Sequence, residues 1–215
     1  SDDAMLAARL LDIPSAQELA SAIQKDYDPE LVKMQRESLY QQVADTFKDQ
    51  WSELYKQLPI DAYEDSAEAR GKRALRNVIL DMALTADVHD AAAWAEQQYN
   101  HASCMTERFG ALKVMVNHQL ANADKYLADF YHRFENNDLV IDLWFSVQAS
   151  ANTVSVDVIE SLLAHEDFDW NTPNRVRSVI SAFSSQPTVL WTAEGLKMYT
   201  DVIKKLDDAN PVLAS

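Results

Sequence analysis

"DPELVKMQRESLYQQVADTFKDQWSELYKQLP", residues 28–59, decides the fold class. Asp28 supplies a carboxylate that can cap a helix, and Pro29 sits where a helix has no use for a backbone N–H. Apolar residues then fall at Val32, Tyr40, Val43, Phe47, Trp51, Leu54, Tyr55 and Leu58. From Tyr40 onward this spacing keeps them on one continuous stripe of a 3.6-residue repeat. The expectation is a single long amphipathic helix that ends near Pro59.

The same grammar extends in both directions. "SAQE", Ser15 to Glu18, has the form of a capping box, in which hydroxyl and carboxylate each satisfy a backbone donor of the other's end. A polar connection, "DAYEDSAEARG", leads into "KRALRNVILDMALTA", where Leu75, Val78, Ile79 and Met82 form another apolar face. Further helices are predicted near 87–99, 102–120, 122–135, 139–150, 153–164, 173–183 and 191–206. Short connections rich in Asp, Asn, Ser and Thr, such as "TADVHD" and "ENND", suit helices packed as successive antiparallel pairs. Three glycines and six prolines are too few for the turns of a sandwich, barrel or doubly wound sheet. The prediction is therefore all-α: a superhelical stack of helix pairs, HEAT- or armadillo-like in architecture, with no sheet. No fixed-period signature of a consensus repeat is present, and no Gly/Ser-rich linker divides the chain, so residues 1–215 are expected to form one domain.

Charge narrows the partners. Thirty-four acidic residues against nineteen basic ones leave a formal charge of −15, a surface that repels phosphate backbones and anionic membranes. Nucleic acid is excluded as a partner on this ground. The longest apolar run is short of a membrane span, and "SDDAMLAARLL" lacks the basic flank and cleavage site of a signal peptide. The lone cysteine, Cys104, rules out an internal disulfide. A cytoplasmic, monomeric protein is expected.

Catalytic patterns are weak. No two of His89, His101, His118, His132 and His165 stand four apart, the spacing that lets two imidazoles on a helix share a zinc. "HEDFD" begins like H-E-x-x-H, but Asp169 occupies the second ligand position, and His165 reads as a surface residue of a connection. Cys104 lies three residues from His101, which invites a nucleophile reading; a small thiol on a helical face is more simply a buried hydrophobe. Glu166, Asp167 and Asp169 read as solvated loop charges, and Trp144 and Phe145 as core. "GKRALRN", residues 71–77, is either an exposed cationic face or a set of arginines reaching back to loop carboxylates. No metal site and no cofactor site are expected in this chain.

"NTPNRVRSVISAF", residues 171–183, places Arg175 and Arg177 near a helix start, where the dipole disfavours cations. Asn174 suits a cap or the first turn after Pro173. Two residues apart, the arginines diverge by about 200° around the helix. They cannot share a face, so one is free to anchor the connection "HEDFDW" while the other points elsewhere.

Five stretches in order, "IPSAQELA" (13–20), "KRALRNVIL" (72–80), "MTERFGAL" (105–112), "NDLVIDLWFSVQAS" (137–150) and "NTPNRVRSVISAF", resemble the C-terminal helical domain of the zinc aminopeptidase N (alanyl aminopeptidase) enzymes of proteobacteria. The similarity runs over about residues 10–215. It implies a non-catalytic domain that packs as a bowl over a zinc-containing domain and walls a chamber for the far end of a peptide. By this resemblance Arg177 is the chamber-facing, substrate-binding arginine, Asn174 a second candidate contact, and Arg175 structural. The family's zinc ligands, H-E-x-x-H with a downstream glutamate, and its amine-binding G-x-M-E-N stretch are not in this sequence. The implied partners are therefore catalytic and β-rich domains of the same polypeptide, with one zinc held there, and a peptide substrate. The sequence ends at "NPVLAS", before a position where the family carries another arginine, and Val212 stands where some members carry glutamine. The competing class is an independent helical-repeat scaffold whose concave face binds a partner peptide or helix.

Overall fold

The computed structural model describes residues 3–23, 26–59 and 62–209. Val212 and the stretch "NPVLAS" lie outside the described residues. The described residues form thirteen helices and no strand. The chain gathers into two compact units, Ser1–Ala123 and Asp124–Ser215.

The first unit holds α1 (Ala4–Leu11), α2 (Ala16–Ile23), α3 (Pro29–Thr46), α4 (Lys48–Lys56), α5 (Ala67–Thr85), α6 (Ala91–His101) and α7 (Met105–Asn117). Its starts are those the residue chemistry demands. Ser15 N–H donates to Glu18 at 2.8 Å while Glu18 N–H returns to the Ser15 hydroxyl at 3.2 Å. Asp28 accepts from Glu30 N–H and Leu31 N–H, and Ser66 from Ala69 N–H. The centre is α5, on which α1, α3, α4, α6 and α7 all pack. Helix α1, capped by Asp3, is an addition to the predicted set. It approaches α5 at Gly71, where a Cβ would stand 2.9 Å from Met5 N.

The expected single helix over 28–59 is two helices. Phe47, at φ −109° and ψ 14°, ends α3 and precedes α4. The buried Trp51 indole takes advantage of the break, donating to the Ala44 carbonyl at 2.8 Å, and its ring meets Phe47 edge-on. Burying an indole together with a satisfied N–H outweighs an uninterrupted ladder. A stripe of apolar residues persists across the bend, which is why periodicity alone does not reveal it.

In the basic stretch 71–77 neither alternative holds for the arginines, although Lys72 stays exposed beside Glu68. Arg73 and Arg76 are buried. They reach loop carbonyls rather than loop carboxylates: Arg73 donates to Glu64 O at 2.9 Å and Arg76 to Leu58 O. Arg76 lies over the Tyr55 ring, 3.9 Å from its centroid, and donates through Nε to Gln98 Oε1 at 3.1 Å. Gln98 is wholly buried and completes this knot. Its Oε1 also accepts from the Tyr55 hydroxyl, and its Nε2 donates to Asn77 Oδ1 and Glu107 O. Four helices, α4 to α7, are thereby tied through one amide.

The second unit holds α8 (Ala123–Phe134), α9 (Asp138–Ala149), α10 (Val156–Leu163), α11 (Pro173–Ser184), α12 (Pro187–Leu190) and α13 (Ala193–Ala209). Helix α11 packs on α9, and α10 meets α9, α11 and α13. Phe130, Phe145, Ile159, Val179 and Phe183 are fully buried between them. The helix expected from 191 begins instead at Ala193, after the single turn of α12. Gly195 makes this junction: a Cβ there would overlap the Val189 carbonyl oxygen and stand 2.8 Å from that of Leu190.

Candidate functional site

The head of α11 is built by the connection before it. Thr172 is the N-cap residue, but its side chain makes no cap bond. Its hydroxyl donates instead to Asp169 at 2.6 Å, and the same carboxylate accepts Asn171 N–H at 2.9 Å. These bonds, the Thr172 hydroxyl foremost and the Asn171 N–H next, hold the Asp169 carboxyl below its ordinary range. Pro173 opens the helix without an N–H, and Asn174 follows in the first turn rather than as the cap.

Arg175 turns inward and is only 5% exposed. Its Nε donates to Asp142 of α9 at 2.6 Å, and its Nη1 donates to the Asp167 carbonyl. Nη2 lies 3.7 Å from the exposed Asp138, and the guanidinium sits 5.0 Å from the Phe145 ring centroid. A buried cation needs both a counter-charge and hydrogen-bond acceptors, and here α9 supplies the first and the 164–172 connection the second. The carboxylates of Asp142, Asp138 and Asp169 offset the unfavourable position of a cation at a helix N-terminus. This side of the head is also bounded by a cleft of about 260 Å³ lined by Glu135, Asp138, Asp167 and Asp169.

Arg177 and Asn174 are on the other side. Both are exposed, and no side-chain hydrogen bond or ion pair joins either of them to another described residue. Three apart, they share a helix face with the exposed Ser181, while Val176, Val179, Ile180 and Phe183 face the core. The two arginines thus differ in kind: one guanidinium is fully engaged inside the fold, the other presents its donors to solvent.

Around this head, His165 is not the surface residue its connection suggests. It is half-buried among the rings of Tyr131, Trp144 and Phe145, whose centroids lie 5.4, 5.0 and 5.5 Å away. Its Nδ1 accepts Asp167 N–H at 3.2 Å, so the ring proton belongs on Nε2 in the neutral imidazole. Tyr131 donates its hydroxyl to Asp167 Oδ2 and its own pKa is pushed up to about 12, first by that hydrogen bond, then by burial and the carboxylate's charge. Asp167 therefore serves Tyr131, His165 and Arg175 at once. Asp142, Tyr131 and His165 escape a sequence reading of the site. One signal was available: Asp142 is a lone acid within "LVIDLWF", an otherwise apolar stretch, and such a charge must find a partner.

The remaining candidates do not assemble. Cys104 is the half-buried N-cap residue of α7, not a residue of a buried helical face, and His101 Nδ1 lies 2.9 Å from Gln97 O. His118 Nε2 is 2.7 Å from Asp81 Oδ1, whose other oxygen accepts the Tyr40 hydroxyl at 2.5 Å, a bridge joining α3, α5 and α7. No group of three or more His, Cys, Asp or Glu side chains among the described residues is arranged to hold a metal ion. A zinc centre does not fit these residues. No described helix is long and apolar enough to cross a membrane.

Fold and site together define an all-helical domain with an exposed arginine and no metal-holding group among its described residues. A family model described as "Domain of unknown function (DUF3458_C) ARM repeats" matches residues 1–215, and the chain belongs to that family. Aminopeptidase N of Haemophilus influenzae is 29% identical over 217 residues, covering 99% of this chain and 25% of that protein. Aminopeptidase N of Escherichia coli is 30% identical with the same coverage, and that of Caulobacter vibrioides 31% identical over 97% of this chain and 25% of its own length. A crystal structure of Legionella pneumophila aminopeptidase A in complex with aspartic acid superposes with a TM-score of 0.86 at 29% identity, over 99% of this chain and 26% of that one. The chain spans about a quarter of the relatives it matches, and corresponds to the C-terminal helical domain of aminopeptidase N-like proteins.

Proposed function

We propose that this chain is the non-catalytic helical domain of a zinc-dependent aminopeptidase N, closing its active-site chamber and binding the end of the peptide distal to the scissile bond. The observation that carries the reading is the guanidinium of Arg177, unpaired among the described residues. A chain of charge −15 has many carboxylates with which to neutralise an arginine, yet this one is exposed, without a side-chain partner among the described residues, on a helix whose neighbouring arginine is locked. A peptide held by its amine elsewhere offers carbonyls and a carboxylate at its far end, and a guanidinium binds these by charge-assisted, forked hydrogen bonds. Asn174, one turn earlier on the same face, adds an amide that both donates and accepts. The similarity to aminopeptidase N proteins and the absence of any zinc-binding motif in the sequence support a division of labour, with the metal and the amine-binding residues on another part of the polypeptide.

The test is kinetic. In the full-length aminopeptidase, Arg177→Ala should cost about 1.5 to 3 kcal/mol of peptide binding, read as a roughly 10- to 150-fold rise in KM for peptides with a free carboxylate. An amino-acid anilide, which has no distal carboxylate, should be hydrolysed as before. Identical kinetics on both substrates for the variant and the parent would remove Arg177 from the substrate path. The isolated chain should release no amino acid from either.

A further inference from the structure

The head of α11 lacks a side-chain cap, as do those of α4, α6 and α7, but it has a buried ionic anchor in its first turn. Its N-cap residue contributes no side-chain bond to the first turn, because the Thr172 hydroxyl is committed to Asp169. Nothing within the helix itself therefore fixes the first turn against its surroundings. What does is Arg175, two residues before Arg177 and about 3 Å from it along the helix axis. Arg175 in turn depends on one carboxylate: the Asp142 side chain is 15% exposed and lies 2.6 Å from Nε, whereas that of Asp138 is 96% exposed and 3.7 Å from Nη2. The Asp167 carbonyl accepts one further bond but carries no charge.

We propose that Asp142 is a positioning residue for the substrate contact of Arg177, acting through Arg175. This rests on the reading of Arg177 as a peptide contact. Asp142 is on α9, a helix packed along α11, so its carboxylate ties the head of α11 to a rigid neighbour. A buried guanidinium with an ionic partner, a carbonyl acceptor and an aromatic face has one arrangement that satisfies all three. That arrangement sets the position of residue 175 and, through a little over half a helical turn, the direction in which residue 177 leaves the helix. When the carboxylate's charge is lost, the cation at the helix N-terminus loses its main compensation and the first turn is free to shift. The exposed guanidinium then meets its ligand from a distribution of positions, and binding weakens although no group that touches the ligand has changed.

The experiment is a double-mutant cycle in the full-length enzyme, with KM and kcat measured on a peptide bearing a free carboxylate. Asp142→Asn keeps the shape and an acceptor oxygen and removes only the charge. It should raise KM roughly tenfold while moving kcat less than twofold. In the Arg177→Ala background the same substitution should leave KM unchanged, an outcome that loss of stability alone would not produce. If Asp142→Asn does not fold, Arg175→Lys keeps the buried positive charge, loses the Nε bond, and enters the same cycle. If Arg177→Ala raises KM but Asp142→Asn does not, or raises it equally in both backgrounds, the positioning role is wrong while the reading of Arg177 stands. If Arg177→Ala itself changes nothing, that reading fails and the positioning role falls with it.

Discussion

Gln98 shows how much structure one side chain can hold. Its amide has two acceptor and two donor positions, and Arg76, Tyr55, Asn77 and the Glu107 carbonyl occupy all four. Gln98→Leu would keep the volume and remove the acceptor of Arg76 Nε and the donor to Asn77 Oδ1 and Glu107 O in the interior, while Arg76 keeps the Leu58 carbonyl and the Tyr55 hydroxyl keeps the Trp94 carbonyl. The expected loss is about 3 kcal/mol of unfolding free energy, measured as a lower urea midpoint with an unchanged slope. A loss below ~0.5 kcal/mol would mean that water replaces the amide without penalty. Asp81 makes a second residue-scale prediction. Burial alone would raise its pKa, but hydrogen bonds from His118 and Tyr40, with the nearby charges of His118 and Lys113, outweigh burial and lower it. A carboxyl depressed in the folded state contributes stability that is present above its unfolded value, about 3.9, and is lost as pH falls through the folded value. The melting temperatures of the parent and of Asp81→Asn should therefore differ most near pH 6 and converge toward pH 2.5. A constant gap would dissociate the bridge from acid stability.

At the scale of elements, contacts between helices depend on places where side chains are missing. Gly71 lies inside α5, where alanine would be favoured by about 1 kcal/mol on propensity, yet its Cβ would press on the backbone of Met5. Backbone yields less readily than the end of a side chain, so Gly71→Ala should undock α1 from α5. Hydrogen exchange of amides in residues 4–11 should accelerate by at least tenfold while α6 and α7 stay protected. Unaltered protection of α1 would show that the two helices can separate slightly without cost. Capping was legible beforehand at Ser15, Asp28 and Pro29 because those bonds are local, spanning two or three residues. The break at Phe47 was not, since its cause is where Trp51 finds an acceptor and an apolar surface.

For the whole molecule the dominant fact is charge. At −15, like charges repel across the surface, and the compact state bears more of that repulsion than the expanded one. Raising ionic strength from roughly 0.01 M to 0.3 M shortens the screening length from about 30 Å to about 6 Å, and the melting temperature should rise accordingly. The buried Arg175–Asp142 pair is shielded from salt, so Asp142→Asn should lower the melting temperature by the same amount at both ionic strengths. A fall in stability with salt would mean that attractive surface pairs, such as Lys72–Glu68 and Arg133–Asp129, outweigh the net repulsion.

The amino-acid order by itself determined that this protein is helical, where most of its helices begin, and that Arg175 and Arg177 face apart. Period, capping and rotation about a helix axis are properties of neighbours in sequence. It carried the resemblance to aminopeptidase N as well, because that lies in short strings of residues. Tertiary structure alone decided what Arg175 binds. The partners of Arg175 are a lone acid thirty-three residues earlier and a loop carbonyl eight residues earlier, brought together by the packing of α9 on α11. It likewise chose between the two readings of the basic stretch 71–77, burying Arg76 in the knot around Gln98 with carbonyls in place of loop carboxylates. The physical reason is the same in both: a buried charge is stable only where its acceptors converge, and convergence belongs to helices that are distant in sequence and adjacent in space.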